Sequence, residues 1–416
     1  MEICGLMPQE RVLLRATTED DGGRRWSSCA EFRADARGTV DLKSSKPLSG
    51  DYRNASPMGL FWSMHLAKSQ ANGSALFVKN GTGPHYVAFS AEVSGRVVAR
   101  TTIERIFIAP GTAIRDCTAG EDSRSTIGRL FIPPGGGRHP VVIVLGGSGG
   151  GFDVDKAAVL SRHGLATFAL AYFGMPPLPA WLNRIPLEYF AAALDWLRSQ
   201  PEVNTSRVGV LGVSRGAELA LLLAATFPMI GAVAAYAPSA IAWAAGGRDK
   251  QSGEPIPSWT LGDSPIPFAP LPLRRFMLKS AIPVVGLRRS VMFRNLFRAG
   301  LRNRIAVKSA IIPVERIGGP LLLISGGDDH VWPATQMSKM IVERLRKHDF
   351  RYPVEHLNFP RAGHMLRYPH LPTTSRRSWN KHLRNARFSF GGSAEADAEA
   401  QSAAWKKTIE FFKANL

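Results

Sequence analysis

At 416 residues the chain is too long for one ordinary domain, and 45% hydrophobic with 20% charged residues excludes a disordered or fibrous protein. No apolar stretch reaches the ~20 residues of a membrane-spanning helix, Met1–Gly5 lacks the order of a signal peptide, and three dispersed cysteines give neither a disulfide framework nor a zinc site. The formal charge of +19 favours a polyanionic partner: nucleic acid, an anionic membrane or a small polyanionic substrate.

Residues 1–112 carry short apolar or alternating stretches, Arg11–Ala16, Ala75–Val78, Tyr86–Phe89 and Arg96–Arg100. Turn signals separate them at Asp20-Asp21-Gly22-Gly23 and Asn80-Gly81-Thr82-Gly83. With no 3.6-residue periodicity, this part is expected to be an all-β, immunoglobulin-like sandwich domain. Residues 113–416 have another rhythm. Unalternated apolar runs at Pro140–Leu145, Ala166–Ala171, Val208–Leu211, Ala232–Tyr236 and Leu321–Ile324 read as strands buried on both faces. Helical patterns at Leu187–Leu197 and Gln336–Leu345 alternate with them, which predicts an α/β domain on a parallel sheet.

Residues 249–312 interrupt that alternation and are expected to form a basic cap or lid over the carboxyl edge of the sheet. Ten Arg or Lys residues lie between Arg274 and Lys308, and no Asp or Glu occurs from Ser264 to Val314. No helix-turn-helix, zinc finger or RNP motif accompanies this charge, so no nucleic-acid partner is expected. Gln401–Leu416 reads as a closing helix carrying Trp405, Ile409, Phe412 and Leu416.

Gly212-Val213-Ser214-Arg215-Gly216 follows the strand at Val208–Leu211 and opens a helical run, the setting of a nucleophile elbow. Glycines two residues either side relieve crowding at the tight turn. Ser214 is the expected nucleophile, with the N–H of Arg215 as an oxyanion donor. A neutral serine needs a base. His364, on a loop after the late strand Val354–Phe359, is in place to be one. The acid should lie between them in the chain. Asp329 is favoured because it stands four residues before the helix-opening Pro333, and Asp328 is the alternative, tying the loop or capping the helix. Gly147, Ser148 and Gly149, in the glycine-rich loop after the first buried strand, complete the expected oxyanion hole. The phosphate-binding spacings G-x-x-x-x-G-K-[ST] and G-x-G-x-x-G are absent there.

The chain also resembles the family of acyl-CoA thioesterases and bile acid-CoA:amino acid N-acyltransferases. Pro57-Met58-Gly59-Leu60-Phe61-Trp62, Glu104-Arg105-Ile106-Phe107, Gly146–Gly151, Gly212–Glu218, Gly327-Asp328-Asp329-His330, Gly363-His364 and Gly391-Gly392 carry the likeness. The resemblance spans nearly the whole length, although family members usually have more residues ahead of the first strands and a shorter, less basic segment at 249–310. It implies a β-sandwich domain joined to an α/β-hydrolase domain and a triad of Ser214, Asp329 and His364. It also implies hydrolysis, because transferase members carry Cys at the nucleophile where this chain has Ser.

The expectation is therefore an acyl-CoA hydrolase working through an acyl-serine, with no cofactor and no metal. Arg288, Arg289, Arg302 and Arg304 are the candidate contacts for CoA phosphates. The alternatives are an acyl-CoA:amino acid N-acyltransferase, an esterase for a non-CoA ester, and a non-catalytic polyanion- or membrane-binding protein. Acyl-chain length and oligomeric state stay open, and no stable membrane insertion is expected. Ala414-Asn415-Leu416 matches a peroxisomal S-K-L signal poorly, so the expected location is cytoplasmic.

Overall fold

The computed structural model describes residues 1–67, 76–118, 126–274, 276, 290–380 and 386–416. In the N-terminal part, β1 (Arg11–Glu19), β2 (Arg25–Arg33), β3 (His85–Val93) and β4 (Arg96–Arg105) form an antiparallel sheet. Its order is β2-β1-β3-β4, with Ser49–Gly50 and His65–Leu66 added on β2. Alternation sets the buried face: Val12, Leu14 and Ala16 of β1 lie with Trp26, Ala30 and Phe32 of β2 and Val87, Phe89 and Ala91 of β3. A ribbon of Glu2–Ile3 with Val40–Asp41 stands apart from this sheet. Leu76–Val78 joins no ladder. Phe77 instead plugs the core between Trp26 and His85, with ring centroids at 5.5 and 5.3 Å.

The second part is built on eight strands. They are β5 (Ala113–Thr118), β6 (Ile127–Ile132), β7 (His139–Leu145), β8 (Ala166–Ala171), β9 (Val203–Val213), β10 (Ile230–Tyr236), β11 (Leu321–Gly326) and β12 (Val354–Phe359). The sheet order is β12-β11-β10-β9-β7-β8-β6-β5. All pairs from β8 to β12 are parallel, and β6 runs antiparallel to β8 and β5. This mixed, doubly wound sheet is an α/β-hydrolase domain behind an antiparallel β domain. The helices are α1 (Val154–Ser161), α2 (Glu188–Arg198), α3 (Arg215–Thr226), α4 (Arg294–Gly300), α5 (Arg304–Ala310), α6 (Ala334–Lys347) and α7 (Ala394–Asn415).

Between β10 and β11 the chain makes short pairings rather than sheet strands. Ala244–Arg248 pairs with Pro255–Pro257, and Trp259–Leu261 pairs with both Ile185–Pro186 and Ser264–Pro265. Helix α7 begins well before the expected Gln401, because Ser393 caps it by accepting the N–H of Ala396 at 3.3 Å.

One face of the large sheet does not stop at its own domain. Val142, Val144, Leu322 and Ile324 of the sheet, Trp405 and Phe412 of α7, and Val12, Trp26, Phe32 and Trp62 of the N-terminal domain belong to one apolar cluster. The helical turn Gly59–Trp62 seals that junction. Its Gly59 leaves no room for a Cβ against the Tyr52 ring, and the Trp62 carbonyl accepts the Thr373 N–H at 3.0 Å. The segment that follows His364 is thus anchored on the N-terminal domain.

Candidate active site

Ser214 links β9 to α3 with φ 57° and ψ −117°, a conformation that costs a residue with a Cβ about 1–3 kcal/mol. Surrounding bonds fix it. The Ser214 N–H donates to the Tyr236 carbonyl at 2.8 Å, and the Ser214 carbonyl accepts the N–H groups of Ala217 and Glu218 at 2.9 and 3.1 Å. The flanking glycines are required by backbone: a Cβ on Gly212 would strike the Gly216 carbonyl, and one on Gly216 the Gly146 carbonyl. The motif's spacing thus lets β9, the first turn of α3 and the glycine-rich loop meet at one point.

Three side chains join in a line. His364 Nε2 lies 3.1 Å from Ser214 Oγ, and His364 Nδ1 lies 2.7 Å from Asp329 Oδ2. All three are buried. An acceptor carboxylate at Nδ1 requires the proton there, which leaves the Nε2 lone pair for the serine hydroxyl. The other Asp329 oxygen accepts the N–H groups of Val331 and Trp332 at 2.7 and 3.1 Å. Asp328 does not face His364. It contacts His330 Nε2 at 3.0 Å, accepts the Gly392 N–H at 3.0 Å and lies 3.9 Å from Arg294. Of the two aspartates, the geometry pairs Asp329 with the imidazole and gives Asp328 to the loop.

Phe390–Gly392 straps the Asp329 and His364 loops together. The Phe390 carbonyl accepts the His364 N–H at 2.9 Å and the His330 N–H at 3.3 Å, and Gly391 bridges to Asp329. Gly391 and Gly392 have φ of 79° and 72°, and a Cβ on Gly391 would collide with the Asp328 carbonyl. On α7, Asp397 accepts the Gly363 N–H at 2.7 Å. Burial pushes its carboxyl up to about 7; the Gly363 bond and Arg376 oppose the rise, while Asp328 and Asp329 add to it. Apart from its Gly-Gly pair, this strap carries no local sequence signal, and Asp397 lies before the stretch that reads as helix.

Gly147 lies against Ser214, a Cβ added at Gly147 falling 3.3 Å from Ser214 Cβ. Ser148 and Gly149 are exposed, with open space around Gly149. Tyr172 Oη donates to the Gly146 carbonyl at 2.6 Å and holds the loop's start. Arg215, the first residue of α3, has no intrahelical acceptor for its N–H. Its buried side chain pairs with Glu218 at 2.7 Å and donates to Ser258 Oγ and to the Trp243 carbonyl. Glu218, fully buried, accepts the Trp243 N–H at 3.1 Å and Trp259 Nε1 at 2.7 Å. Burial raises the Glu218 carboxyl, and Arg215 opposes that rise. This pair fastens the start of α3 to the segment after β10. Sequence reading missed it because its partners are more than twenty positions away.

The region expected to cap the site packs on it through α4. The Arg294 N–H donates to the His330 carbonyl at 2.9 Å. The ring of Phe297 stands 5.4 Å from Trp332, and Trp332 stands 6.2 Å from His364. Arg302 and Arg304 are exposed, and Arg288 and Arg289 lie outside the described residues. Among the described residues no group of His, Cys, Asp and Glu could hold a metal ion, and no helix is long and apolar enough to cross a membrane.

Comparison with known proteins covers the whole chain. Residues 1–118 match the family model "Acyl-CoA thioester hydrolase/BAAT N-terminal region", and residues 185–416 match "BAAT / Acyl-CoA thioester hydrolase C terminal". The peroxisomal succinyl-coenzyme A thioesterase of Mus musculus is 31% identical over 424 residues, covering 100% of this chain and 92% of that protein. The acyl-coenzyme A amino acid N-acyltransferase 1 of Mus musculus is 30% identical over 421 residues, covering 99% and 93%. Among solved structures, a puromycin-hydrolysing peptidase of Mycobacterium tuberculosis aligns with a TM-score of 0.44 at 14% identity, over 99% of this chain and 54% of that one. On two family models and full-length relatives, the chain belongs to the acyl-CoA thioesterase/BAAT family, with that family's N-terminal region and C-terminal hydrolase domain.

Proposed function

We propose that this chain hydrolyses acyl-CoA thioesters to free acid and CoA, with Ser214 as nucleophile, His364 as base and Asp329 as its orienting acid. The observation that carries the reading is the hydrogen-bonded line Ser214–His364–Asp329 on a serine held at positive φ. In the cycle, His364 Nε2 takes the Ser214 proton as Oγ attacks the thioester carbonyl, and Asp329 stabilises the imidazolium. The N–H groups of Arg215 and Gly147 receive the oxyanion, one such donor being worth about 3 kcal/mol. The C–S bond breaks and the CoA sulfur leaves with the proton from His364. Water, activated by the same imidazole, then hydrolyses the acyl-serine.

The identity of the nucleophile supports hydrolysis over transfer. An acyl-serine is an ordinary ester cleared by water, whereas an acyl-cysteine stays an activated thioester suited to aminolysis. Relatives in the family bear names that are peroxisomal and mitochondrial.

The test is release of free CoA thiol from short-, medium- and long-chain acyl-CoAs, by wild type and Ser214→Ala side by side. Release by wild type alone is the expected result. Equal release by Ser214→Ala would end the nucleophile assignment. Adding glycine or taurine and looking for an N-acyl product separates transfer from hydrolysis. An oxygen ester of the same acyl group separates a general esterase.

A further inference from the structure

Helices α4 and α5 are two-faced. On the inner side Leu296, Gly300 and Ala310 are buried, and Phe297, Leu301, Ala306 and Val307 pack against the sheet's core. Gly300 admits Trp243 so closely that a Cβ there would stand 2.7 Å from the indole. The outer side carries Arg298, Arg304 and Lys308, with Arg302 in the turn between the helices, all exposed. Among the described residues these four form no ion pair, and no acid occurs from Ser264 to Val314 to supply one. In their midst Ile305 is 86% exposed, the most exposed large apolar side chain of the described residues.

A single exposed apolar residue is ordinary on a protein surface. This one is different in its setting. Every other large apolar residue of α4 and α5 turns inward, and Ile305 alone turns out. Residues three and four apart share a helix face, so Ile305 and Arg304 both neighbour Lys308 on α5. A soluble polyanion would use the cations and gain nothing from the isoleucine. An anionic bilayer uses both: headgroups take the guanidinium and ammonium charges, and the aliphatic tip enters the boundary with the acyl chains.

We propose that the outer face of α4 and α5 is a peripheral docking surface for anionic lipid membranes. The surface is mechanically joined to the catalytic loops. On the inner side of α4, the Arg294 N–H holds the His330 carbonyl and Phe297 packs on Trp332, whose own N–H is bound by Asp329. Docking there sets the lid side of the site against the bilayer, where long-chain amphiphiles partition.

The test is co-sedimentation of the full chain with large vesicles, either of phosphatidylcholine alone or of equal phosphatidylcholine and phosphatidylglycerol. Wild type is expected to sediment with the anionic vesicles only, and to be released by high salt. Ile305→Glu and the double variant Arg298→Gln/Lys308→Gln should each lose binding. The double variant should fall about twenty-five-fold in partition, at roughly fivefold per cation. Both variants should keep the wild-type melting temperature and the wild-type turnover of a soluble short-chain acyl-CoA without vesicles. Failure of wild type to sediment with anionic vesicles would overturn the proposal, as would binding by both variants as tight as wild type. Raised KM in the vesicle-free assay would also overturn it, by making the face a site for soluble phosphate. Vesicle binding is read without turnover, so its outcome stands apart from that of the hydrolase assay.

Discussion

Asp397 accepts the N–H of Gly363, the residue immediately before His364, at 2.7 Å. The bond ties the loop of the proposed base to the first turn of α7, some thirty residues on. Because burial lifts this carboxyl to about 7, the folded chain holds a proton there that the unfolded chain has released above about pH 4. Stability from this group is full below the unfolded value and falls as pH rises through the folded value. Asp397→Asn should remove about 2–3 kcal/mol of the decline between pH 5 and pH 8. Urea midpoints of both proteins at the two pH values check it, and parallel curves would refute the assignment.

Asp329 and Asp328 stand side by side and should differ sharply in their effects. Asp329→Asn leaves the geometry intact yet favours the wrong imidazole tautomer, and such a change elsewhere costs about 10⁴ in kcat. Asp328→Asn keeps an acceptor for the Gly392 N–H and faces away from His364. Its kcat should stay within about tenfold of wild type, as expected for a loop tie. Steady-state kinetics of the pair decide the matter, and a larger loss in Asp328→Asn would reverse the two roles.

Gly216→Ala tests the meeting of elbow and loop. The added methyl has only the backbone carbonyls of Leu145 and Gly146 to push against, so the glycine-rich loop must move from Ser214. Misplacement of a reacting group by about 1 Å costs on the order of 10² in rate. The expected outcome is a folded protein with kcat reduced by about that factor and KM little changed. Activity near wild type would mean that the loop tolerates displacement.

The buried pair Arg215–Glu218 predicts a stability effect. Glu218→Gln leaves a buried guanidinium without its counter-charge, a change that costs about 3–5 kcal/mol in comparable settings. Arg215→Met/Glu218→Leu removes both charges and should lose less than the single variant. Thermal melts of the two variants give the order, and a double variant less stable than Glu218→Gln would contradict it.

Much of this protein is legible from its amino acids alone. The unalternated runs at Val141–Leu145 and Leu321–Ile324 announce strands buried on both faces, because a sheet covered on two sides leaves no polar position to alternate. The meeting of Ser214 and His364 is readable because a tight strand-to-helix turn demands small residues at fixed spacing and His364 follows a late strand. Those are local requirements, and local chemistry is written in local sequence. Long-range relationships are decided otherwise. Spacing from Pro333 favours Asp329 over Asp328, but the contact of Asp329 with His364 itself depends on how Phe390–Gly392 folds back across both loops. Phe77 resembles a strand residue until Trp26 and His85 leave a space that only its ring fills. Asp397 and the Glu218 clamp acquire meaning only when helices and loops distant in the chain become neighbours. Periodicity and motif spacing record what a residue needs from its nearest positions along the chain, whereas pairing across the fold is set by packing, which no short window of sequence contains.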